Sequence, residues 1–386
     1  MRLRQILCSL IFLMCLVTLA LPARPAAAAG TCPDFNHDGS VDVNDVTNIA
    51  ARWATASADP RFDRDGDGSI SVTDIQQVAV RWHELCTPLS TCPCFPPDNI
   101  WNTPVDTLPL DAHSQAYINS IGPTTGMHPD FGAALWQGAP IGIPFTTVPG
   151  SQPLAPITFI WYPEESDPGP YPIPPDAPIE GGPNSTGDRH VLVVEHDTCH
   201  LYELYYAWPR SGNRWDAGNG AVFNLLAHNL RPDTWTSADA AGLPVLPGLV
   251  SYDEVAAGEI THALRFTVQN SQRAYVWPAR HYASSSTNPA YPPMGQRFRL
   301  KANFDISAFS ASNRVILTAL KRYGMMMADN GSNWYLSGTP DARWDDDDLH
   351  QLQTGVHGAD FEAVNVSSLM IDPDSGQALP PPPAYP

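Results

Sequence analysis

His190-Val191-Leu192-Val193-Val194-Glu195 and Leu201-Tyr202-Glu203-Leu204-Tyr205-Tyr206 stand on either side of a short break around Asp197. β-branched and aromatic runs of strand length that flank turn residues read as a β-hairpin. Ile157-Thr158-Phe159-Ile160-Trp161-Tyr162 has the same composition. Further on, His262, Leu264, Phe266 and Val268 alternate with Thr261, Ala263, Arg265 and Thr267, the pattern of a half-buried strand. Ala274–Trp277 and Arg297–Lys301 read as further strands. Helices are fewer: Asp111 caps one reaching Ile121, and Ser312 another from Arg314 to Tyr323, stopped by Gly324. Residues 98–373, roughly 275 in number and enough to bury a core, are therefore expected to form a large mainly-β domain. A sandwich or jelly roll with a few packed helices is the first expectation, and an α+β layering the alternative.

A different pattern precedes that domain, an acidic loop and short helix written twice at an offset of 29: Asp34 and Asp63, Gly39 and Gly68, Asp45 and Asp74, Arg52 and Arg81, Trp53 and Trp82. A hard cation that takes six to eight oxygens explains it, with side-chain oxygens at loop positions 1, 3, 5 and 9, a backbone carbonyl at 7 and a carboxylate at 12. The candidate ligands are Asp34, Asn36, Asp38, Ser40, Asp42 and Asp45 in the first loop. In the second they are Asp63, Asp65, Asp67, Ser69, Ser71 and Asp74. Two calcium ions are expected. Aspartate rather than glutamate at position 12, one helix after each loop and tandem duplication resemble a dockerin module over residues 32–86. The resemblance implies a small all-α module that folds on calcium, attached to a secreted polysaccharide-degrading protein and docking on a cohesin-type scaffold. The helices end in Ala51-Arg52-Trp53 and Val80-Arg81-Trp82, unlike the Lys/Arg-rich ending of the best-known cohesin binders.

Arg2 and Arg4, the apolar run Ile6–Leu21, and the small residues Ala26–Ala29 have the order of a secretory signal peptide, expected over residues 1–29 with cleavage after Ala28 or Ala29. The apolar run is short for a bilayer span, so an extracellular protein without a membrane anchor is expected. Loss of that segment leaves 18 basic and 40 acidic residues, a net charge of −22. Such a surface repels nucleic acid and anionic lipid. Export permits disulfides, and Cys32 and Cys86, which bracket the repeat, are the expected pair. Cys92, Cys94 and Cys199 are an odd set, so one is expected to be free or paired between chains, and Cys92-Pro93-Cys94 fits no standard zinc spacing. Thr87–Pro97 reads as a proline-rich linker and residues 374–386 as a proline-rich tail without fixed structure.

For chemistry, the large domain offers no Gly-x-Ser-x-Gly, His-Glu-x-x-His or phosphate-binding glycine loop. It holds nine of the eleven tryptophans, which suits sugar stacking as well as core packing. Glycosidic cleavage needs two carboxyl groups, one protonated and one ionised. Glu203 lies in an otherwise apolar and aromatic run, where lost hydration raises a carboxyl pKa toward that of a general acid. Pairing with Arg189 or Arg265 is its structural alternative. A three-residue hairpin turn places Glu195 beside it on one face, whereas a two-residue turn separates them. Asp329 ends the apolar strand Met325–Ala328 at the turn Asn330-Gly331 and is the expected ionised partner. His190 after Arg189, and His281 after Arg280, suit the alternative of a polysaccharide lyase, where a cation neutralises a uronate and histidine moves the proton. His128-Pro129-Asp130 is a further candidate acid–base pair. Asp345–Asp348 read as a helix start, whose acids favour the helix N-terminus. Between Pro163 and Pro183 a proline- and acid-rich stretch reads as a cleft wall or a solvated excursion. Glycoside hydrolysis is the first expectation, lyase activity the second, and a non-catalytic glycan-binding or scaffold-attached role the competitor.

Overall fold

The computed structural model describes residues 43–53, 69–80 and 92–382, together with Pro33, Val41, Phe62 and Arg64. It divides after Ser90 into two units. In the first, helices α1 (Val43–Ala50) and α2 (Val72–Ala79) present apolar faces to one small core of Val41, Ile49, Phe62, Ile70 and Val78. The Ser71 hydroxyl accepts from the N–H of Thr73 and the Asp74 carboxylate from that of Ser71, a capping box that starts α2. Arg52 stacks its guanidinium 4.1 Å from the Phe62 ring. The expected signal peptide, Cys32, Cys86, Arg81, Trp82 and eight loop ligands (Asp34, Asn36, Asp38, Ser40, Asp42, Asp63, Asp65 and Asp67) lie outside the described residues.

The second unit is mainly β with few helices. Its strands are β1 (His128–Asp130), β2 (Leu135–Trp136), β3 (Ala139–Pro140), β4 (Phe145–Val148), β5 (Ile157–Phe159), β6 (Val191–Glu195), β7 (His200–Tyr205), β8 (Trp208–Arg210), β9 (Arg214–Ala217), β10 (Asn219–Asn224), β11 (Leu264–Val268), β12 (Arg297–Leu300), β13 (Met325–Asn330), β14 (Tyr335–Ser337) and β15 (Phe361–Val364). Helices α3 (Ser114–Ile121), α4 (Tyr252–Ala257), α5 (Ala311–Arg322) and α6 (Asp346–Gly355) accompany them. A six-stranded sheet runs β1-β14-β11-β13-β12-β15, a four-stranded one β10-β7-β6-β4, and a three-stranded one β5-β9-β8. The expected hairpin is β6–β7, with Leu192 opposite Glu203 and Glu195 opposite His200. Its inward side chains Val191, Val193 and Leu204 join Trp215, Ile173 and Tyr171 in one core. On the larger sheet Phe266, Phe298, Trp334 and Phe361 pack ring against ring, with Trp334 stacked on Phe266 at 5.6 Å and on Phe361 at 5.2 Å.

Several expectations change. β11 is buried on both faces except at Thr267, rather than half-buried, because it is central, with β13 on one side and β14 on the other; Arg265 on it is 4 % exposed. Ala274–Trp277 forms only a bridge from Tyr275 to Met294. α5 is capped by Ser310, not Ser312, and α6 starts at Asp345 as the acids suggest. The stretch 163–183 is not a solvated excursion, since Tyr171, Ile173 and Ala177 enter the core. The region expected to be a loose tail is fastened: Gly376 accepts from the N–H of Ile100, and Ala378 donates to Asp98. Cys92, assigned to the linker, bonds to Cys199 on the hairpin. That bond rules out a metal site on Cys92-Pro93-Cys94 and leaves Cys94 as the free thiol, its pKa pushed up to about 12 by burial.

Candidate functional site

The site begins with a register fault. β13 runs parallel to β11 with Phe266 opposite Met327, but Thr267 pairs with Asp329, so Ala328 is an extra residue. A bulge of this kind re-aims the next side chain, and here it directs a charged group out of an apolar strand. Met325–Ala328 are buried, whereas the Asp329 side chain is 21 % exposed. It borders a cleft of about 520 Å3 with Tyr162, Tyr205, Thr236, Ser237, His281 and Tyr282 among its walls.

Behind Asp329 sits a buried ion pair. Arg265 Nε donates to Asp239 Oδ2 at 2.7 Å, Nη2 reaches the other oxygen, and Nη1 donates to Ser337 Oγ at 2.6 Å. Arg265 lies 3.9 Å from Asp329 but is already neutralised by Asp239. Burial first, and then the charges of Asp239 and exposed Asp188, lift Asp329 to about 7; Arg265 offsets part of this. The Ala240 and Asn330 N–H groups fix the carboxyl from below, at 3.4 and 2.6 Å.

His281 stands in the same cleft. Its Nδ1 is 2.8 Å from the Ala240 carbonyl, which only accepts, so Nδ1 carries a hydrogen. Its ring lies parallel to Tyr282 at 5.6 Å. His190 is different. It is buried against Glu180, with Nδ1 to carboxylate at 2.6 Å and Nε2 to the Ala238 carbonyl at 3.0 Å. Burial opposes its charge, but Glu180 outweighs burial and holds it at about 10. It supports the cleft floor from beneath.

The two hairpin carboxylates are not brought to the cleft. The four-residue connection leaves Glu195 and Glu203 three register positions apart, hence on opposite faces, so they form no pair. Glu203 is fully buried and accepts from the N–H groups of Val245 at 3.0 Å and Leu246 at 2.9 Å. It forms no ion pair with Arg189 or Arg265; burial lifts it to about 7 against those two donors. Glu195 accepts from the Asp197 N–H at 2.6 Å and from the Thr198 hydroxyl, stapling the turn. Arg189 and Arg280 are also engaged. Arg189 donates to four carbonyls and lies 3.6 Å from the Trp208 ring, and Arg280 holds Asp374 and the Arg231 and Pro373 carbonyls. The His128 ring packs tilted against Tyr335, 4.2 Å between centroids, and stands 3.9 Å from Asp130. Trp101, Trp215, Trp334 and Trp344 are core, whereas Trp136 and Trp161 are exposed.

Sequence reasoning named Asp329 and His281, which share the cleft, but expected Asp329 to be the readily ionised partner, whereas burial raises its pKa to about 7; it missed Asp239, Asp188, Arg273 and the tyrosines. Reading β11 as a central strand places Arg265 inside and demands a buried carboxylate such as Asp239.

In the small unit, the position-12 aspartates Asp45 and Asp74 are both fully buried. Asp74 accepts from the N–H groups of Arg64 at 2.6 Å and Ser71 at 2.8 Å. Among the described residues no three His, Cys, Asp or Glu side chains gather as a metal cluster. No helix among them is long and apolar enough to cross a membrane. No family model, curated protein or solved structure matches the chain.

Proposed function

We propose that this chain is a secreted polysaccharide-cleaving protein of the glycoside hydrolase type, with Asp329 as its general acid. The observation that carries the reading is the placement of Asp329: a carboxyl lifted to about 7, in an open cleft walled by Tyr162, Tyr205 and Tyr282. Near neutral pH it retains a proton to give to the leaving glycosidic oxygen. Asp188, exposed and close enough for its charge to raise Asp329, is the second carboxyl group of this reading. His281 and the Tyr205 hydroxyl in the same cleft favour a second reading, a lyase in which the histidine moves the proton beside a uronate.

The small unit is a dockerin-like module in this reading. Its ligands, Asp45, Ser69, Ser71 and Asp74 among the described residues, hold two calcium ions and prepare the helices to dock on a cohesin-type scaffold. Calcium supplies folding energy there, so chelator should remove the α1 and α2 helicity and leave the large unit's core signal unchanged. The finer architecture belongs to the same proposal. The parallel pairs β1–β14, β11–β13, β4–β6 and β5–β9 weigh toward the α+β alternative over a jelly roll.

Purified full-length chain, screened on neutral and acidic polysaccharides, tests the function. New reducing ends without an unsaturated-uronate absorbance support hydrolysis, and both signals together a lyase. Binding with no new ends on any polymer supports the non-catalytic role and ends the enzymatic reading.

A further inference from the structure

Arg273 is an exposed cation in an acidic protein. Arg231, Arg265, Arg280, Arg299 and Arg343 each hold a carboxylate within ion-pair distance. Arg273 has no carboxylate partner among the described residues, although it lines the same cleft as Asp329 and His281. It is not left loose. Its backbone N–H donates to Ser286 at 2.6 Å, and its Nε reaches the Tyr282 hydroxyl at 3.4 Å. Tyr282 is in turn stacked between His281, at 5.6 Å, and Tyr275, at 6.3 Å, and Tyr275 donates to Asp233 at 2.8 Å. The ladder holds the Nε side of the guanidinium and leaves the two terminal nitrogens without a partner among the described residues.

We propose that Arg273 is an anion subsite of the cleft, which receives the carboxylate of an acidic sugar unit, so that the ligand is a uronate-containing polysaccharide. This rests on the reading that the cleft takes a glycan, and it adds the class. A planar guanidinium whose two terminal nitrogens have no partner among the described residues suits a carboxylate in the end-on two-bond mode. A uronate beside Asp329 meets a group that still carries a proton near neutral pH and so can donate a hydrogen bond to it. Neutral sugars offer Arg273 nothing that water does not.

Binding separates this from the question of catalysis. Full-length protein would be titrated with polygalacturonate, alginate and glucuronoxylan, each beside its carboxyl-reduced form, using wild type and the variants Arg273→Gln and Arg273→Lys. The expected result is that wild type prefers at least one acidic polymer over its reduced form. Arg273→Gln should bind that polymer about tenfold more weakly, the scale of one charge-assisted hydrogen-bonded contact, while binding to the reduced form stays unchanged. Arg273→Lys should keep part of the affinity because it keeps the charge, and Arg273→Gln should show the weaker salt dependence. Unchanged thermal midpoints exclude unfolding as the cause. Equal binding by Arg273→Gln and wild type, a wild-type preference for the reduced forms, or no binding to any acidic polymer would overturn the proposal. Charge-dependent binding without new reducing ends supports the subsite while ending the hydrolytic reading.

Discussion

Glu203 on β7 and Asp329 on β13 are both lifted to about 7, and in both the first cause is loss of water. They differ in what replaces the water. Glu203 is closed over by the chain at Val245 and Leu246, whose N–H groups take its oxygens, and nothing from outside reaches it. Asp329 is backed by an ion pair that is already satisfied, Arg265 with Asp239, and its open side faces the cleft. The same pKa therefore marks a structural keystone in one place and, in the proposed reading, an acid in the other, and access separates the two.

The largest expected effect tests that distinction. Asp329→Asn should lower turnover by on the order of 10²–10⁴ while the protein stays folded, the usual contribution of a general acid. Glu203→Gln should keep turnover within about threefold, because that side chain touches nothing in the cleft. Steady-state rates on a polymer the wild type cleaves decide it, and the opposite pattern would exchange the two roles.

Stability should show the reverse order. Glu203→Ala strands two buried N–H groups and should cost about 3 kcal/mol in denaturant unfolding of the large unit, against about 1 kcal/mol or less for Asp329→Ala. pH sharpens the contrast. A carboxyl raised in the folded state stabilises fully below its unfolded pKa, and that contribution is lost as pH rises through the folded value. From the usual glutamate pKa of 4.5 to about 7, Glu203 should withdraw about 3 kcal/mol. His190, raised to about 10, withdraws its own share only above its unfolded value of 6.5. The difference between wild type and Glu203→Gln, followed from pH 4.5 to 7, should therefore carry the slope, and a flat difference would show that Glu203 is not held protonated. The smallest effect is reserved for Glu195→Ala, which loosens one turn and should cost about 1 kcal/mol with activity unchanged.

How much of this was legible depended on the range of the determining contact. The β6–β7 hairpin was legible because Val191–Glu195 and His200–Tyr205 carry strand chemistry in their own residues. The faces of Glu195 and Glu203 were not, since one residue more or less in the turn around Asp197 inverts every side chain of one arm. Asp329 was legible as the polar end of an apolar strand, although the bulge at Ala328 that aims it depends on β11, some sixty residues earlier. Arg189 and Arg280 drew attention as neighbours of histidines, yet both are consumed by backbone carbonyls, and a carbonyl has no sequence signature. Arg273 had nothing local to distinguish it. Its standing comes from the stacked Tyr282 and Tyr275, which the loop brings together.

The Cys92–Cys199 bond has a mechanical meaning. A pull on the chain ahead of the large unit, as when a tethered protein is dragged through a viscous polymer, arrives first at Cys92. There it passes through a covalent link into the β6–β7 turn instead of peeling residues 93–110 away one hydrogen bond at a time. At the other end, Gly376 and Ala378 are laced to Ile100 and Asp98, so a tug on the tail is borne in shear across several bonds beside the same entry segment.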